Sequence, residues 1–426
     1  MVDVWLPYGK TDICVRVPAR NLLGTIEPKE RQAVADEKAE IDRALAEPIG
    51  TKRIAEIVKP ESKVAIVVDD STRKTPSEVM LLSVLAELNS AGVKDENITV
   101  IFGCGTHRAV RPDEAEELIG KEAIKRLKFV SHCCTDSELV YVGTTKTHGN
   151  KVYINRIFAE ADVRVLLGDV NYHYYAGYGG GRKSVLPAVS GEVTIKQNHA
   201  LMVSSNAKAG NLQDNPVHID MTEAARLAKV DFILNIVENK EGKIVRAFAG
   251  DLEAAFLEAV KLVDEMYRVY VDRRAEIVVV SSGGHPADIN LYQACKGLDN
   301  ALDVVKRGGV IILVAECLEG HGNQVFYDWM SRLGDQKTVE KEIKRNFLIG
   351  GHKAYYLLKA LQNHPLILVS TLPDFYATSI FKFKTARAIN DALNEAFKLT
   401  GSASRVWAIP VGNYTLAIFK SPEEKT

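Results

Sequence analysis

The stretch Lys63-Val64-Ala65-Ile66-Val67-Val68-Asp69-Asp70 decides the fold class of this 426-residue chain. Its unbroken apolar run does not alternate with polar residues, which is typical of a strand that is buried on both faces of a sheet. The residues from Pro76 to Leu88 then read as a helix, because proline is favoured in a first helical turn. A buried strand followed by a helix is the building unit of a parallel sheet covered by helices.

The same alternation of strands and helices continues along the chain, which is too long for one average domain. Before residue 270 we expect strands at 97–102 and 163–168 and a helix at 112–126. A second α/β unit begins near residue 275, with strands at 274–281, 309–314 and 365–370, helices at 292–306 and 385–399, and a closing hairpin at 406–419.

These elements predict an α/β protein of two α/β domains, with mostly parallel sheets and an active-site cleft between them. Residues 1–270 would form an N-terminal cofactor-binding domain and residues 271–426 a C-terminal domain. The last strands could pack back on the N-terminal domain. Charges in Val271-Asp272-Arg273-Arg274 place the linker somewhere in 265–275.

Charge and composition exclude several classes of protein. The chain has 54 basic and 55 acidic residues, a balance that gives no support for nucleic acid or an acidic membrane as a partner. No stretch approaches the ~20 apolar residues that a membrane-spanning helix needs, and the start of the chain does not resemble a signal peptide. Six cysteines without a C-x-x-C pair are too sparse for a disulfide scaffold, so we expect a cytoplasmic location.

The most reactive segment is the loop His173-Tyr174-Tyr175-Ala176-Gly177-Tyr178-Gly179-Gly180-Gly181-Arg182-Lys183-Ser184. Glycine amides can approach a phosphate closely, and a lysine among glycines can bind phosphate or form a covalent adduct. The spacing matches neither a Walker A loop nor G-x-G-x-x-G. A flexible surface turn is the alternative, although three tyrosines would be unusual in a bare linker.

Polar side chains follow three predicted strands of the first domain, namely Asp70, His107 and His173. The carboxyl ends of parallel strands meet at one edge of a sheet, so these residues are expected to share a cleft. Imidazoles suit proton transfer near neutral pH and also bind metals. The same two roles are open to His199, which lies further along the chain. Taken alone, a histidine in the position of His107 is more often structural than catalytic.

Two further segments could bind an anionic substrate. Asp70-Ser71-Thr72-Arg73 opens a helix, where anions bind and where Arg73 could hold a carboxylate, although an N-cap with a surface arginine would look the same. In the second domain Tyr292, Gln293 and Lys296 can share a helix face. A solvated helix lysine is the alternative there.

These segments together resemble nickel-dependent lactate racemases along essentially the whole chain. The matching strings are Asp70-Ser71-Thr72-Arg73, Gly105-Thr106-His107-Arg108, residues 173–187, Asn198-His199, Phe248-Ala249-Gly250-Asp251 and Tyr292-Gln293-Ala294-Cys295-Lys296-Gly297. The resemblance implies an isomerase, a racemase or epimerase of small 2-hydroxy acids, with lactate the first expectation. It implies nickel held in a nickel-pincer nucleotide (pyridinium-3-thioamide-5-thiocarboxylic acid mononucleotide), and enzymes that build this cofactor as partners.

The resemblance also implies a role for each candidate residue. The catalytic acid–base pair would be His107 and His173, and the metal ligand would be His199. The cofactor-binding residues would be Lys183, which carries the cofactor through a thioamide, with Asp70, Thr72, Gly179, Gly180 and Gly181. The substrate-binding residues would be Arg73, Gln293 and Lys296.

The implied reaction is reversible hydride transfer from C2 of the substrate to the cofactor, while the two histidines move the hydroxyl proton. The alternatives are a metal-dependent 2-hydroxy acid dehydrogenase that releases the keto acid, and a non-catalytic carrier of the cofactor. One stretch departs from the family: residues 350–356 lack the tryptophan that lies near the substrate in the lactate enzyme. His352 and Lys353 would add polarity there, so longer or more polar 2-hydroxy acids compete with lactate.

Overall fold

The computed structural model describes residues 1–421, and these form two compact units. The N-terminal unit comprises residues 30–265. The C-terminal unit comprises residues 1–29 together with the chain from residue 266 onward. The sequence-based boundary assigns the first 29 residues to the N-terminal domain, whereas in the structure their strands pair and pack in the C-terminal unit.

The helices of the described chain are α1 Glu37–Ala46, α2 Ile54–Ile57, α3 Ser77–Ser90, α4 Pro112–Arg126, α5 Arg156–Glu160, α6 Glu192–Ala200, α7 Pro216–Leu227, α8 Ala254–Tyr267, α9 Leu291–Ala301, α10 Gln324–Arg332, α11 Gln336–Arg345, α12 Gly351–Asn363 and α13 Ile389–Thr400. Short 3-10 turns occur at Asp95–Asn97, Gly181–Ser184, Leu201–Val203 and Leu302–Val304, and a π-helical segment at Phe375–Ile380. Within residues 1–421, no helix combines the length and apolar character that a membrane crossing requires.

The strands are β1 Val2–Tyr8, β2 Thr11–Val17, β3 Leu22–Thr25, β4 Val64–Asp69, β5 Ile98–Gly103, β6 Lys128–Ser131, β7 Val140–Thr144, β8 Lys151–Ile154, β9 Val163–Asp169, β10 Tyr172–His173, β11 Gly177–Tyr178, β12 Phe232–Glu238, β13 Ile244–Gly250, β14 Arg268–Val271, β15 Ala275–Ser281, β16 Val305–Val314, β17 Leu366–Val369, β18 Lys384–Ala386, β19 Val406–Ile409 and β20 Leu416–Phe419. The predicted α/β class with mostly parallel sheets is confirmed.

The N-terminal unit is built on a six-stranded sheet in the order β13-β12-β9-β4-β5-β6. All neighbours pair in parallel except β13, which joins β12 in antiparallel. Strand β4 is buried from Val64 to Val68, as its apolar run predicts, and it packs in one core with apolar residues of α3. Because β4, β5 and β9 run in the same direction, their carboxyl ends lie at one edge, where Asp69 pairs in register with Gly103.

The C-terminal unit has its own six-stranded parallel sheet in the order β18-β17-β16-β15-β19-β3. Strand β3 from the start of the chain therefore pairs with β19 from near its end. The antiparallel hairpin of β1 and β2 buries Val4, Leu6 and Val15 in the core of this unit. This long-range pairing explains why the first 29 residues do not belong with the residues that follow them.

Three predicted elements of the C-terminal unit need correction. The closing hairpin at 406–419 is wrong, because β19 pairs with β15 and β3 while β20 pairs in parallel with β14. The helix expected at 292–306 ends at Ala301, since β16 already begins at Val305. The helix expected at 385–399 begins at Ile389, because residues 384–386 form the edge strand β18. In each case strand pairing with a distant segment overrides the local pattern.

Candidate active site

Polar residues follow three neighbouring strands at the carboxyl edge of the N-terminal sheet. Asp69 ends β4 and Asp70 follows it, His107 lies in the turn after β5, and His173 follows β9. The expectation that residues distant in the chain meet here is confirmed for Asp70 and His107, whose Oδ2 and Nδ1 atoms are 2.6 Å apart. This edge is therefore a place where proton-transfer groups converge.

Asp70 is held on both of its carboxylate oxygens. Oδ1 accepts hydrogen bonds from the backbone N–H of Thr72 at 3.0 Å and from its hydroxyl at 2.5 Å, while Oδ2 contacts His107. Burial acts to raise the pKa of Asp70, but the hydrogen bonds from His107 and Thr72 outweigh it and hold the pKa below its usual value. Asp70 is therefore a carboxylate at neutral pH.

A second group of predicted residues gathers around the buried ring of Tyr175. The ring of His173 meets it edge-on at 4.4 Å between centroids, and the ring of His199 lies at 5.3 Å. The ammonium nitrogen of Lys183 is 5.9 Å from the same ring centre. Three residues to which the family resemblance gives roles in catalysis, metal binding and cofactor attachment thus share one aromatic neighbour.

The helix that carries His199 is anchored by a buried polar network around Asp220. Its carboxylate accepts hydrogen bonds from Thr145 at 2.7 Å, from Asn150 at 2.8 Å and from Asn198 at 2.9 Å. Asn198 precedes His199 on α6, so the network fixes the turn of helix that presents the imidazole. Several buried hydrogen bonds to one carboxylate restrain this segment, although the side-chain oxygens of Asn150 and Asn198 accept none within the described chain.

The electrostatic surroundings of Lys183 and His199 favour their neutral forms. Burial, reinforced by Arg73 and Arg182, lowers the pKa of Lys183 to about 7. Burial, with Lys183 nearby, lowers the pKa of His199 to about 3. Near neutral pH, Lys183 therefore has a large fraction of nucleophilic amine, and His199 is in the form that binds metals.

Carboxylates that the sequence analysis did not single out lie close enough to Lys183 and Arg73 to affect their charge. Burial and the adjacent Asp169 raise the pKa of Asp69 to about 6, and burial and Asp169 raise the pKa of Glu238, at the end of β12, to about 7. Desolvation works against the charge of Arg73, but Asp169 and Asp69 raise its pKa above the usual value. Asp69, Asp169 and Glu238 each end a buried apolar strand. An acidic residue directly after such a run is the sequence feature from which this cluster could have been predicted.

The glycine-rich loop is organised around the guanidinium of Arg182, which sequence reasoning missed. This side chain is buried and donates to the carbonyl oxygens of Gly179 and Gly180, both at 3.1 Å, and of Ala176 and Tyr178 at 2.8 and 2.9 Å. Its Nε donates to Nδ1 of His218 at 3.0 Å. Burial lowers the pKa of Arg182 to about 9, so the group remains a cation at neutral pH.

Gly179, Gly180 and Gly181 allow the backbone of this loop to pack closely against neighbouring backbone and side chains. A side chain at Gly180, where φ is +72°, would bring its Cβ within 2.8 Å of the carbonyl oxygen of Asp169. The N–H of Gly179 donates to the carbonyl of Asn171, and the N–H of Gly181 donates to the amide oxygen of Asn235. Both N–H groups are thus used within the protein, and the cofactor-binding role of these glycines stays a prediction.

The segment at the start of α3 was predicted to bind an anion. A groove of about 500 Å³ lies there, with Ser71, Arg73, Lys74 and Thr75 in its wall. The same wall includes Glu37, Glu78, Glu114 and Glu117. These carboxylates would oppose an anion in most of the groove, so Arg73 and Lys74 mark the part that is suited to one.

The two remaining predicted residues lie on α9 of the C-terminal unit. Gln293 and Lys296 are both half-buried, and α9 is capped by Asn290, whose side chain accepts from the N–H of Gln293 at 3.0 Å. Beside them, the hydroxyl of Tyr292 lies 3.2 Å from Nε2 of His352. Their role as substrate ligands stays a prediction.

The expectation that His352 and Lys353 present polar groups to a substrate does not agree with their burial. Lys353 is 1% exposed and its ammonium lies 3.1 Å from a carboxylate oxygen of Asp299. His352 is 3% exposed and stacks on Phe347. Gly351 packs so closely on Trp329 that a Cβ there would come within 2.3 Å of its ring, so a tryptophan contacts this stretch from α10.

The N-terminal unit is thus an α/β structure with a hydrogen-bonded Asp70–His107 pair at the carboxyl edge of its sheet. The chain matches the family models of the lactate racemase N-terminal domain over residues 8–210 and of the lactate racemase C-terminal domain over residues 271–416. The lactate racemase of Thermoanaerobacterium thermosaccharolyticum is 33% identical over 420 residues, covering 97% of this chain and 98% of that protein. The lactate racemase of Lactiplantibacillus plantarum is 32% identical over 422 residues, with coverages of 97% and 99%.

Solved structures show the same similarity to lactate racemase. The lactate racemase apoprotein from Thermoanaerobacterium thermosaccharolyticum superposes with a TM-score of 0.90 at 32% identity, covering 98% of this chain and 100% of that one. A protein from Thermotoga maritima, at 20% identity and a TM-score of 0.64, shares the fold. The chain belongs to the lactate racemase family, a family of isomerases, and the resemblance inferred from its motifs is confirmed.

Replacing Arg182 with Lys should destabilise the N-terminal unit by about 2 kcal/mol or more, because an ammonium cannot span four carbonyls and leaves buried acceptors unpaired. Urea unfolding of the purified protein measures this. Arg226→Lys is the control, since Arg226 forms an exposed pair with Glu253 and should change stability by less than ~0.5 kcal/mol. Equal effects of the two variants would show that the loop does not depend on Arg182.

Proposed function

We propose that this protein is a racemase of small 2-hydroxy acids with lactate as its expected substrate, working with a nickel-pincer nucleotide. The observation that carries the proposal is the convergence of His173, Lys183 and His199 on Tyr175, at the sheet edge that also holds the pair of Asp70 and His107. The names of the relatives, both lactate racemases, support the substrate.

The chemistry of the residues fits the cofactor. Lys183, with its lowered pKa, would carry the nucleotide covalently, and the neutral imidazole of His199 would be the protein ligand to nickel. Among residues 1–421, no three His, Cys, Asp or Glu side chains are grouped to hold a metal, so the cofactor would supply the remaining donor atoms. When bound, the nickel-pincer nucleotide would provide a centre that accepts a hydride from C2 of the substrate and returns it.

The chain's own residues would then handle the proton and the carboxylate. His107 would remove the hydroxyl proton through Nε2, because its Nδ1 is turned to Asp70. His173 would exchange the proton on the opposite face of the planar keto acid, as a reaction that runs both ways requires. Arg73 would bind the substrate carboxylate by charge-assisted hydrogen bonds, and Gln293 and Lys296 are the proposed substrate ligands of the C-terminal unit.

The deciding experiment supplies single enantiomers of lactate to protein produced together with the cofactor-building enzymes, and follows both enantiomers by chiral chromatography. Convergence to an equal mixture without accumulation of keto acid supports the proposal. Net formation of keto acid with an external acceptor would indicate the dehydrogenase, and bound nickel without turnover would indicate the carrier.

Lys183 should be the attachment point of the cofactor, because its amine is neutral in part and lies beside His199. The intact mass of co-expressed protein should exceed the sequence mass by one nucleotide-sized adduct. Lys183→Arg should lose the adduct, whereas Lys261→Arg, at an exposed position on α8, should keep it. A peptide map that places the adduct on another residue would contradict this assignment.

Replacing His107 or His173 with Ala should reduce turnover by at least ~10²-fold while nickel stays bound, as expected for general acid–base groups. His199→Ala should instead reduce the nickel content of the purified protein. Metal analysis by mass spectrometry and initial rates on lactate measure the two effects. Loss of nickel in His107→Ala together with its retention in His199→Ala would reverse the roles.

Lactate should have a higher kcat/KM than malate or 2-hydroxybutyrate, and His352→Ala should change the ratio of lactate to malate by less than about tenfold. The reason is that His352 is buried and its Nε2 lies against the hydroxyl of Tyr292, so its replacement should affect a substrate indirectly. Initial rates on the three acids provide the comparison. A preference that switches to malate in wild-type protein, or a larger change in the variant, would disprove the expectation.

A further inference from the structure

The contact between Asp70 and His107 determines which ring nitrogen of His107 carries the proton. Oδ2 of Asp70 lies 2.6 Å from Nδ1 of His107, and both oxygens of the carboxylate are engaged, since Oδ1 accepts two hydrogen bonds from Thr72. An ionised carboxylate can only accept hydrogen bonds, so the proton of this contact must sit on the imidazole nitrogen. A neutral His107 therefore carries its proton on Nδ1 and its lone pair on Nε2.

The burial of the two side chains separates their roles. The side chain of Asp70 is 5% exposed, whereas that of His107 is 42% exposed. A small molecule at the sheet edge can therefore reach the imidazole without reaching the carboxylate behind it. The turn that carries His107 is itself fixed, because the N–H of Gly105 donates to the carbonyl of Ala188 and the N–H of His107 donates to that of Cys104.

We propose that Asp70 is a positioning residue that acts through His107, holding the ring in the Nδ1–H tautomer so that Nε2 is the atom that exchanges a proton with the substrate. The inference rests on the proposed function and deepens it, since it states how one acid–base group is prepared for that reaction. It also gives Asp70 a task other than the cofactor binding that the family resemblance implies.

The tautomer can be measured without any cofactor. Long-range ¹H–¹⁵N spectra of apoprotein labelled at histidine distinguish a protonated from an unprotonated ring nitrogen, and His107→Gln assigns the signal by removing it. Wild-type protein should show His107 protonated on Nδ1. In Asp70→Asn the signal should shift towards the other tautomer, because a side-chain amide can donate as well as accept.

Kinetics of the cofactor-loaded enzyme provide the second readout. Asp70→Asn should lower kcat by at least ~10-fold, in keeping with other residues that orient a catalytic or ligating imidazole, while KM changes by less than ~3-fold. The nucleotide adduct and nickel should both be retained. Asp231→Asn is the matched control: Asp231 accepts from the N–H of Arg164 at the opposite end of the sheet, and its replacement should leave tautomer and kcat unchanged.

Three results would overturn the proposal: His107 protonated on Nε2 in the wild type, an unchanged tautomer in Asp70→Asn, or a loss of adduct or nickel in that variant, which would return Asp70 to cofactor binding. The wild-type spectrum alone can decide against it, even if Asp70→Asn does not fold. Failure of the loaded wild-type enzyme to racemise any 2-hydroxy acid would contradict the proposed function, and the apoprotein spectra would still decide the tautomer.

Discussion

The buried guanidinium of Arg182 is the group on which the geometry of the candidate site depends. Four carbonyls of the loop point at it, and a buried carbonyl without a donor costs ~1–3 kcal/mol, so the loop has no comparable alternative once this side chain is in place. Lys183 is the next residue along the chain, and His173 begins the same loop. A single cation thus holds the stretch of backbone that lies between His173 and Lys183.

The same cation contributes to the chemistry through its charge. Burial makes the largest contribution to the low pKa of Lys183, and Arg73 and Arg182 add to it, while Asp69 and Asp169 act in the opposite direction. Because burial and the cations outweigh the carboxylates, the amine is available in its neutral form near pH 7. Burial and the neighbouring Asp169 instead raise the pKa values of Asp69 and Glu238, as expected when like charges crowd in a buried site. The carboxyl edge of the N-terminal sheet therefore combines basic and acidic side chains, and it does not have the single charge sign of a simple anion or cation site.

The sequence predicted the three neighbouring strands β4, β5 and β9 of the N-terminal sheet, because a buried parallel strand is a continuous apolar run that is visible locally, but it did not predict β6, β12 or β13. The carboxyl ends of parallel strands lie at one edge of a sheet, so the predicted direction of β4 and β5 was enough to bring Asp70 and His107 together. Arg182 was missed because its signal resembles something else: glycines beside a basic residue suggest a phosphate site, and nothing local shows that the carbonyls turn inward. The pairing of β3 with β19 was invisible for a related reason, since it joins residues almost four hundred positions apart.

The stretch from Gly350 to Tyr356 shows how burial changes the meaning of a polar sequence. Two polar residues in place of a tryptophan suggest a more polar substrate only if they face it. In the structure Lys353 lies against Asp299, an arrangement that is stable because each buried charge meets the other, and removing one partner would leave the other uncompensated. His352 instead reaches the hydroxyl of Tyr292 on α9, the helix that carries Gln293 and Lys296. A substitution at position 352 would therefore change the contacts of Tyr292, and variation in this stretch affects the packing of α9 more directly than the side chains of Gln293 and Lys296.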